Sequence, residues 1–373
     1  MKEENFSSHK YFFSLSKSTG THDTPGGNTH PCDIYVCMQH CGPRSPAAAL
    51  AAAAAALCVL WLRELARRRS AEACLREQKA VAALASLNNQ KRTLISLRAG
   101  MTLPVRPDDV VIATFPKCGT TLLQQLVHQL RTGGSWDFEE ISCVVPWLES
   151  CVDLGVDPSC DQGWHPRAFK SHLSFAMLPS GMRTITVLRQ PSKVLEAYYR
   201  FFCGYKFDAA DISLEAFARD YFCDRGALRL HGGTLYEHLL SFWEQRHQPH
   251  LLILCYEDIV EDLPAAAAKV AEFIGVSDDA SRLAAAAANS SRAAMLQHAG
   301  QFDDAPGRRA FNELCGRNAE RGVGVTGKVN AARRSSISAQ LEHFADVDLW
   351  KSVAQATGHK DYASLRAALR SGR

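Results

Sequence analysis

The feature that most constrains the fold is a junction. Val110-Val-Ile-Ala-Thr-Phe115 is a continuous apolar run, Pro116-Lys117-Cys118-Gly119-Thr120-Thr121 follows directly, and Leu122, Leu123, Leu126, Val127 and Leu130 then recur at helical spacing. A run that is apolar on both alternating faces reads as a strand buried between layers, and one that enters a helix through a short loop belongs to a sheet with crossover helices. The N-terminus of such a helix offers unpaired N–H groups and a partial positive charge to an anion. Gly119 lets backbone approach it, Thr120 and Thr121 add hydroxyl donors, and Lys117 supplies a full charge. The loop lacks the GxxxxGK[ST] order of magnesium-dependent nucleotide triphosphatases. Taken alone, the junction also reads as a chance strand-turn-helix with an incidental lysine.

Two more short runs that read as buried strands, Thr184 to Leu188 and Leu251 to Cys255, alternate with longer amphipathic stretches. The pattern predicts an α/β fold: a single P-loop-like domain with a central parallel sheet flanked by helices on both faces. At 373 residues and 46% hydrophobic, the chain can bury such a core without a second domain. The alanine-heavy stretches Ala265 to Ala268 and Ala284 to Ala288 fall inside helical patterns and carry no chemistry.

The expected organisation is a disordered tail over 1–45, an apolar segment over 46–62, a helical linker over 63–95 and the main domain over 96–373. The segment 46–62 is uncharged, is bounded by Arg44 and Arg63, and sits near the lower length limit for a membrane span. Two readings of it stay open. One is a membrane anchor, with Arg63, Arg67, Arg68 and Arg69 keeping the main domain in the cytosol; the other is the start of a long helix running through Glu72, Leu75 and Ala80. The 13 cysteines include no CxxC pair, which favours a reducing, cytoplasmic setting for the main domain. Lysine and arginine number 42 against 39 acids, so nothing supports a nucleic-acid partner bound by phosphate neutralisation.

Two further segments carry candidate chemistry. In Ala168-Phe169-Lys170-Ser171-His172-Leu173, a short strand puts Lys170 and His172 on one face, and a neutral imidazole suits a general base. Most histidines are structural, and this chain has 14. Arg189 follows the run Thr184 to Leu188, at the strand end where open α/β sheets bind ligands, and its planar fork matches phosphate oxygens. Its alternative is a surface ion pair.

These segments resemble the sulfotransferases that use 3′-phosphoadenosine 5′-phosphosulfate (PAPS). Pro116 to Thr121 is similar to their Pro-Lys-Ser-Gly-Thr-Thr-Trp loop, with Cys118 and Leu122 departing from it. Lys170 to Leu173, with Leu178-Pro179, is similar to their catalytic Lys-Ser/Thr-His-Leu segment. The stretch from Arg189 to Tyr198-Tyr199 resembles their 3′-phosphate arm, but Ala197 stands where a phosphate-binding serine is expected. Tyr256-Glu257-Asp258 resembles the segment whose tyrosine lies near adenine, Ser290 falls in a Thr-Ser-like position, and Arg292 replaces a stacking aromatic. Arg321-Gly322 through Lys328 resembles, with several departures, the loop that closes over the 3′-phosphate.

The resemblance implies sulfuryl transfer from PAPS to a hydroxyl or amine of a small-molecule acceptor, with no metal. His172 would be the base, and Lys117 and Lys170 would offset charge at the transferring group. Cys118, Gly119, Thr120, Thr121, Leu122, Arg189, Ala197, Tyr256, Ser290, Arg321 and Gly322 would contact the donor. The departures leave open a PAPS-binding or PAP-binding protein without turnover. A nucleotide-dependent kinase would need acidic metal ligands, which have no evident place in the sequence. The acceptor and the oligomeric state are not legible. Cys118, beside a helix N-terminus, raises a separate expectation: a thiol of lowered pKa that is open to oxidation.

Overall fold

The computed structural model describes residues 46–89, 94–203, 205–208, 210–223, 233–277, 279–323, 335 and 337–371. The 1–45 tail and Lys328 lie outside these residues. By its contacts the chain divides into two units, Met1–Arg69 and Ser70–Arg373. In the first, the described residues are helical, and Leu57, Leu60 and Trp61 are exposed. They belong to the helix Pro46–Asn89, which continues through Glu72, Leu75 and Ala80. Among the described residues, no helix is long and apolar enough to cross a membrane.

The second unit is built on four parallel strands, β1 (Val110–Ala113), β2 (Ala168–Ser171), β3 (Arg183–Leu188) and β4 (Leu251–Cys255), in the order β2-β1-β3-β4. Alternation along β1 sorts its side chains between two layers. Val110 and Ile112 pack with Ile185, Val187, Leu252 and Leu254 against helices Thr120–Thr132, Leu263–Ile274 and Ala280–Ser290. Val111 and Ala113 face the opposite way, with Phe169 and Phe242 of helix Leu235–Trp243. The structure is therefore the expected α/β fold with helices on both faces. A buried ion pair, Arg167 Nη2 to Asp109 Oδ2 at 2.6 Å, fixes the entry of β1 and β2 and so their register, Val110 opposite Ala168.

The C-terminal ends of the strands are held by a third cluster. Phe115, Leu188 and Cys255 pack there with Val194, Leu195 and Tyr198 of helix Pro191–Phe202 and with Trp350 and Tyr362 from the end of the chain. Asp346 reaches the N-terminus of that helix, where its carboxylate accepts from the Ser192 N–H (2.7 Å), the Ser192 hydroxyl (2.7 Å) and Gln190 Nε2 (2.8 Å). A carboxylate on unpaired N–H groups at the positive end of a helix is favourably placed. Val81 and Leu84 of the long helix are buried in the same cluster, and Glu77 accepts from the Ser213 N–H at 2.6 Å.

Candidate active site

The strand expected to run to Phe115 ends at Ala113, because the next residue is drawn into the loop. The Thr114 hydroxyl meets that of Thr120 at 2.5 Å, and the Thr114 carbonyl accepts from His172 Nδ1 at 2.8 Å. Two loop residues leave ordinary backbone space: Lys117 at φ 72° and Gly119 at φ 118°. For a lysine this left-handed turn costs about 1 kcal/mol. It is held by Arg189 Nη1, which donates to the Lys117 carbonyl at 2.7 Å, and by the Phe201 ring, whose centre is 4.1 Å from Lys117 Nζ. At Gly119 a Cβ would meet Tyr256 Cδ2 at 2.8 Å, so glycine is required there by space as well as by φ. The helix Thr120–Thr132 then begins with no side chain capping it. Its first-turn residues Thr121 and Leu122 are half-buried.

Cys118 corrects the expectation of a reactive thiol. Its side chain points into the core rather than at the helix end and packs in the cluster of Phe115, Leu188 and Val194. Burial pushes its pKa up to about 12, with the nearby Arg189 charge opposing the rise.

Arg189 and Tyr256 form the next layer. The guanidinium lies 4.3 Å from the centre of the Tyr256 ring, which itself abuts Gly119. Arg189 Nε and Ser290 Oγ are both buried with no hydrogen-bond partner among the described residues. A buried polar atom without a protein partner calls for an explanation, and a bound ligand or an ordered water supplies one. Ala197 sits in the middle of helix Pro191–Phe202 and offers no hydroxyl. The nearest serine on that helix, Ser192, is engaged by Asp346. Arg292 is exposed.

Lys170 and His172 share one wall, as the period-two spacing predicts. Lys170 Nζ is 4.7 Å from the Trp147 ring centre, and the His172 ring packs edge-on to it at 5.2 Å. Lys170 is buried, donates to Ser142 Oγ at 3.0 Å and approaches Asp304 at 3.9 Å. The His172 backbone N–H donates to the buried carboxylate of Glu149 at 2.8 Å. A carbonyl only accepts, so the bond to Thr114 puts the hydrogen of the neutral ring on Nδ1 and makes Nε2 the basic nitrogen.

Arg321 and Gly322 lie in a turn after helix Ala305–Leu314, with the Arg321 side chain exposed. Arg308 of that helix is buried, donates to the Gly322 carbonyl at 2.6 Å and rests 5.2 Å from the Phe201 ring centre. One ring therefore stands between the cation of the strand-helix loop and the residue that holds the C-terminal turn. Trp147 and Arg308 were not anticipated from sequence: the first sits in a loop without periodicity, and the second is a charged residue in a polar stretch.

Residues 107–299, more than half of the chain, match the family described as the sulfotransferase domain. The chain belongs to that family. The sulfotransferase match includes Lys117, Lys170, His172, Arg189, Tyr256 and Ser290, and it ends before Arg308, Arg321 and Gly322. Human Sulfotransferase 4A1 is 32% identical over 193 residues, covering 49% of this chain and 65% of that protein. Rat Sulfotransferase 1A1 is 30% identical over 180 residues, covering 45% of this chain and 60% of that protein. The chain thus spans less than two thirds of the length of these sulfotransferase relatives. Among solved structures, mouse sulfotransferase SULT7A1 complexed with PAP aligns at 20% identity with a TM-score of 0.44, over 54% of this chain and 71% of that one. Retinol dehydratase in a complex with retinol and PAP aligns at 19% identity with a TM-score of 0.46, over 71% and 85%.

Proposed function

We propose that this chain transfers a sulfuryl group from PAPS to a hydroxyl or amine on a small-molecule acceptor, with His172 as general base. The observation that carries the reading is the His172 Nδ1 bond to the Thr114 carbonyl at 2.8 Å. It ties the base to the strand that feeds the anion loop and leaves Nε2 as the proton acceptor. A base so oriented contributes about 10²–10⁴-fold in such reactions.

The residues present fit a donor with phosphate at both ends. The uncapped helix start at Gly119, Thr120 and Thr121, with Lys117, suits the 5′ end; Arg189, whose buried Nε lacks a partner, suits the 3′-phosphate. Cys118 and Leu122 complete the loop, and Tyr256 and Ser290 border the space for the adenine. Arg321 and Gly322 join Arg189 on the 3′ side. When bound, PAPS supplies an activated sulfuryl group. The chain's own part is to hold both ends, to place Lys117 and Lys170 where negative charge develops, and to take the acceptor's proton at Nε2.

Titration calorimetry of PAP into the full chain tests the reading. Micromolar binding without magnesium, lost in Lys117→Ala and Arg189→Ala, is expected; a wild type that ignores PAP overturns it. In an acceptor screen His172→Ala should lose about 10²–10⁴-fold in transfer rate while keeping PAP affinity. One observation favours a second reading, a PAP-binding protein without turnover: Ala197 lacks the hydroxyl, and Ser192 is engaged elsewhere. Tight PAP binding with no transfer to any acceptor would decide for it. The loss of one neutral hydrogen bond costs about 1 kcal/mol, too little to abolish donor binding.

A further inference from the structure

We infer that Arg308 and Asn312 set this chain's selectivity for a 3′-phosphorylated nucleotide, by fixing the backbone of the turn that carries Arg321 and Gly322. The inference rests on the donor site proposed above.

Both residues are fully buried and lie one turn apart on helix Ala305–Leu314, hence on one face of it. Arg308 Nη1 donates to the Gly322 carbonyl at 2.6 Å, and Asn312 Nδ2 donates to the carbonyls of Ala319 (2.8 Å) and Arg321 (3.0 Å). Burying an arginine and an asparagine is costly unless their donors are used. Here Arg308 Nη1 and Asn312 Nδ2 are used on backbone carbonyls of a single turn, outside any helix or strand. The geometry of the peptide bond gives that arrangement a consequence. In a trans peptide the carbonyl of one residue and the N–H of the next point in opposite directions. Pinning the Arg321 carbonyl against the helix therefore turns the Gly322 N–H outward, while the Arg321 side chain stands exposed. Gly322 takes φ 70°, which glycine adopts freely. An outward N–H next to a guanidinium is an arrangement that binds phosphate.

Arg308 also connects this turn to the other end of the site. Its guanidinium lies 5.2 Å from the centre of the same Phe201 ring that Lys117 Nζ approaches at 4.1 Å. Arg308 and Asn312 are positioning residues: they act on the nucleotide through the turn they hold.

The test compares PAP with 5′-AMP, which lacks the 3′-phosphate. In the wild-type chain, hydrogen exchange of the amides at 319–323 should slow with PAP and not with 5′-AMP. By calorimetry, Arg308→Lys and Asn312→Ala should each weaken PAP by about tenfold, as for a lost charge-assisted hydrogen bond, and leave 5′-AMP unchanged. A merely structural role would weaken both nucleotides alike. Variants that melt like wild type and keep the full preference for PAP overturn the inference. So does a wild type whose 319–323 amides respond equally to both nucleotides, whatever the variants' folding. A wild type that binds neither nucleotide defeats the proposed function itself.

Discussion

The loop residue Cys118 shows how one side chain's direction decides its chemistry. Proximity to a helix N-terminus lowers a thiol pKa only when the sulfur faces the N–H groups or another positive charge in a polar setting. At Cys118 the sulfur faces aromatic and aliphatic carbons, and burial raises its pKa to about 12, so it stays a neutral thiol at physiological pH. Iodoacetamide applied to the native protein near pH 8 should therefore label the exposed Cys58 and Cys74 and spare Cys118 until the chain is unfolded. Peptide mass spectrometry reads this directly, and early labelling of Cys118 would show that the sulfur faces solvent. The same logic separates Ser192 from Ala197. A hydroxyl on the right helix is of no use to a ligand when Asp346 already holds it.

At the scale of elements, the helix Thr120–Thr132 has one face that serves the anion loop and another that is buried with a titratable group in it. His128 lies on that helix, fully covered, with Phe138 edge-on at 5.1 Å and Arg131 Nη2 at 3.4 Å from Nδ1. Burial first, and the Arg131 charge second, lower its pKa to about 3 from an ordinary 6.5. The folded chain thus keeps His128 neutral while the unfolded chain protonates it. Its contribution is complete above pH 6.5 and is lost as pH falls from there toward 3, at a slope of about 1.4 kcal/mol per pH unit. Urea unfolding at pH 7, 6 and 5 should show a shallower acid-side loss in His128→Gln than in wild type, and equal slopes would refute the assignment. The elements themselves were largely legible. β1 and β4 are continuous apolar runs and β3 is rich in β-branched residues because both faces of a parallel sheet are covered, and β4 spans the expected Leu251 to Cys255. The pairing of Asp109 with Arg167 was not legible, nor was the use of Arg308 and Asn312. Their partners lie far along the chain or on backbone, and a charged residue buried for its hydrogen bonds leaves no periodic trace.

Within the unit Ser70–Arg373, the C-terminal helix Tyr362–Arg370 closes the structure over the strand ends that carry Arg189 and Tyr256. The Tyr362 hydroxyl reaches the Leu188 carbonyl at 3.3 Å and the Glu257 carboxylate, whose other oxygen accepts from the Gln190 N–H at 3.2 Å. Arg366 Nε donates to Asp258 at 2.6 Å. Of the Tyr-Glu-Asp segment, then, Tyr256 faces the candidate site while Glu257 and Asp258 fasten the end of the chain, a division of labour that the sequence does not reveal. This arrangement separates stability from binding. Tyr362→Phe removes buried bonds to a carboxylate and should lower unfolding free energy by about 1–3 kcal/mol, with PAP affinity little changed because Arg189 and Gly119 keep their contacts. Arg189→Ala should do the reverse, abolishing PAP binding; the protein contacts it gives up are the Nη1 bond to the Lys117 carbonyl and the Tyr256 ring, while its Nε has no hydrogen-bond partner among the described residues to lose. Urea midpoints measured with and without saturating PAP give both quantities in one series, and equal PAP-induced shifts in wild type and Arg189→Ala would remove Arg189 from the site.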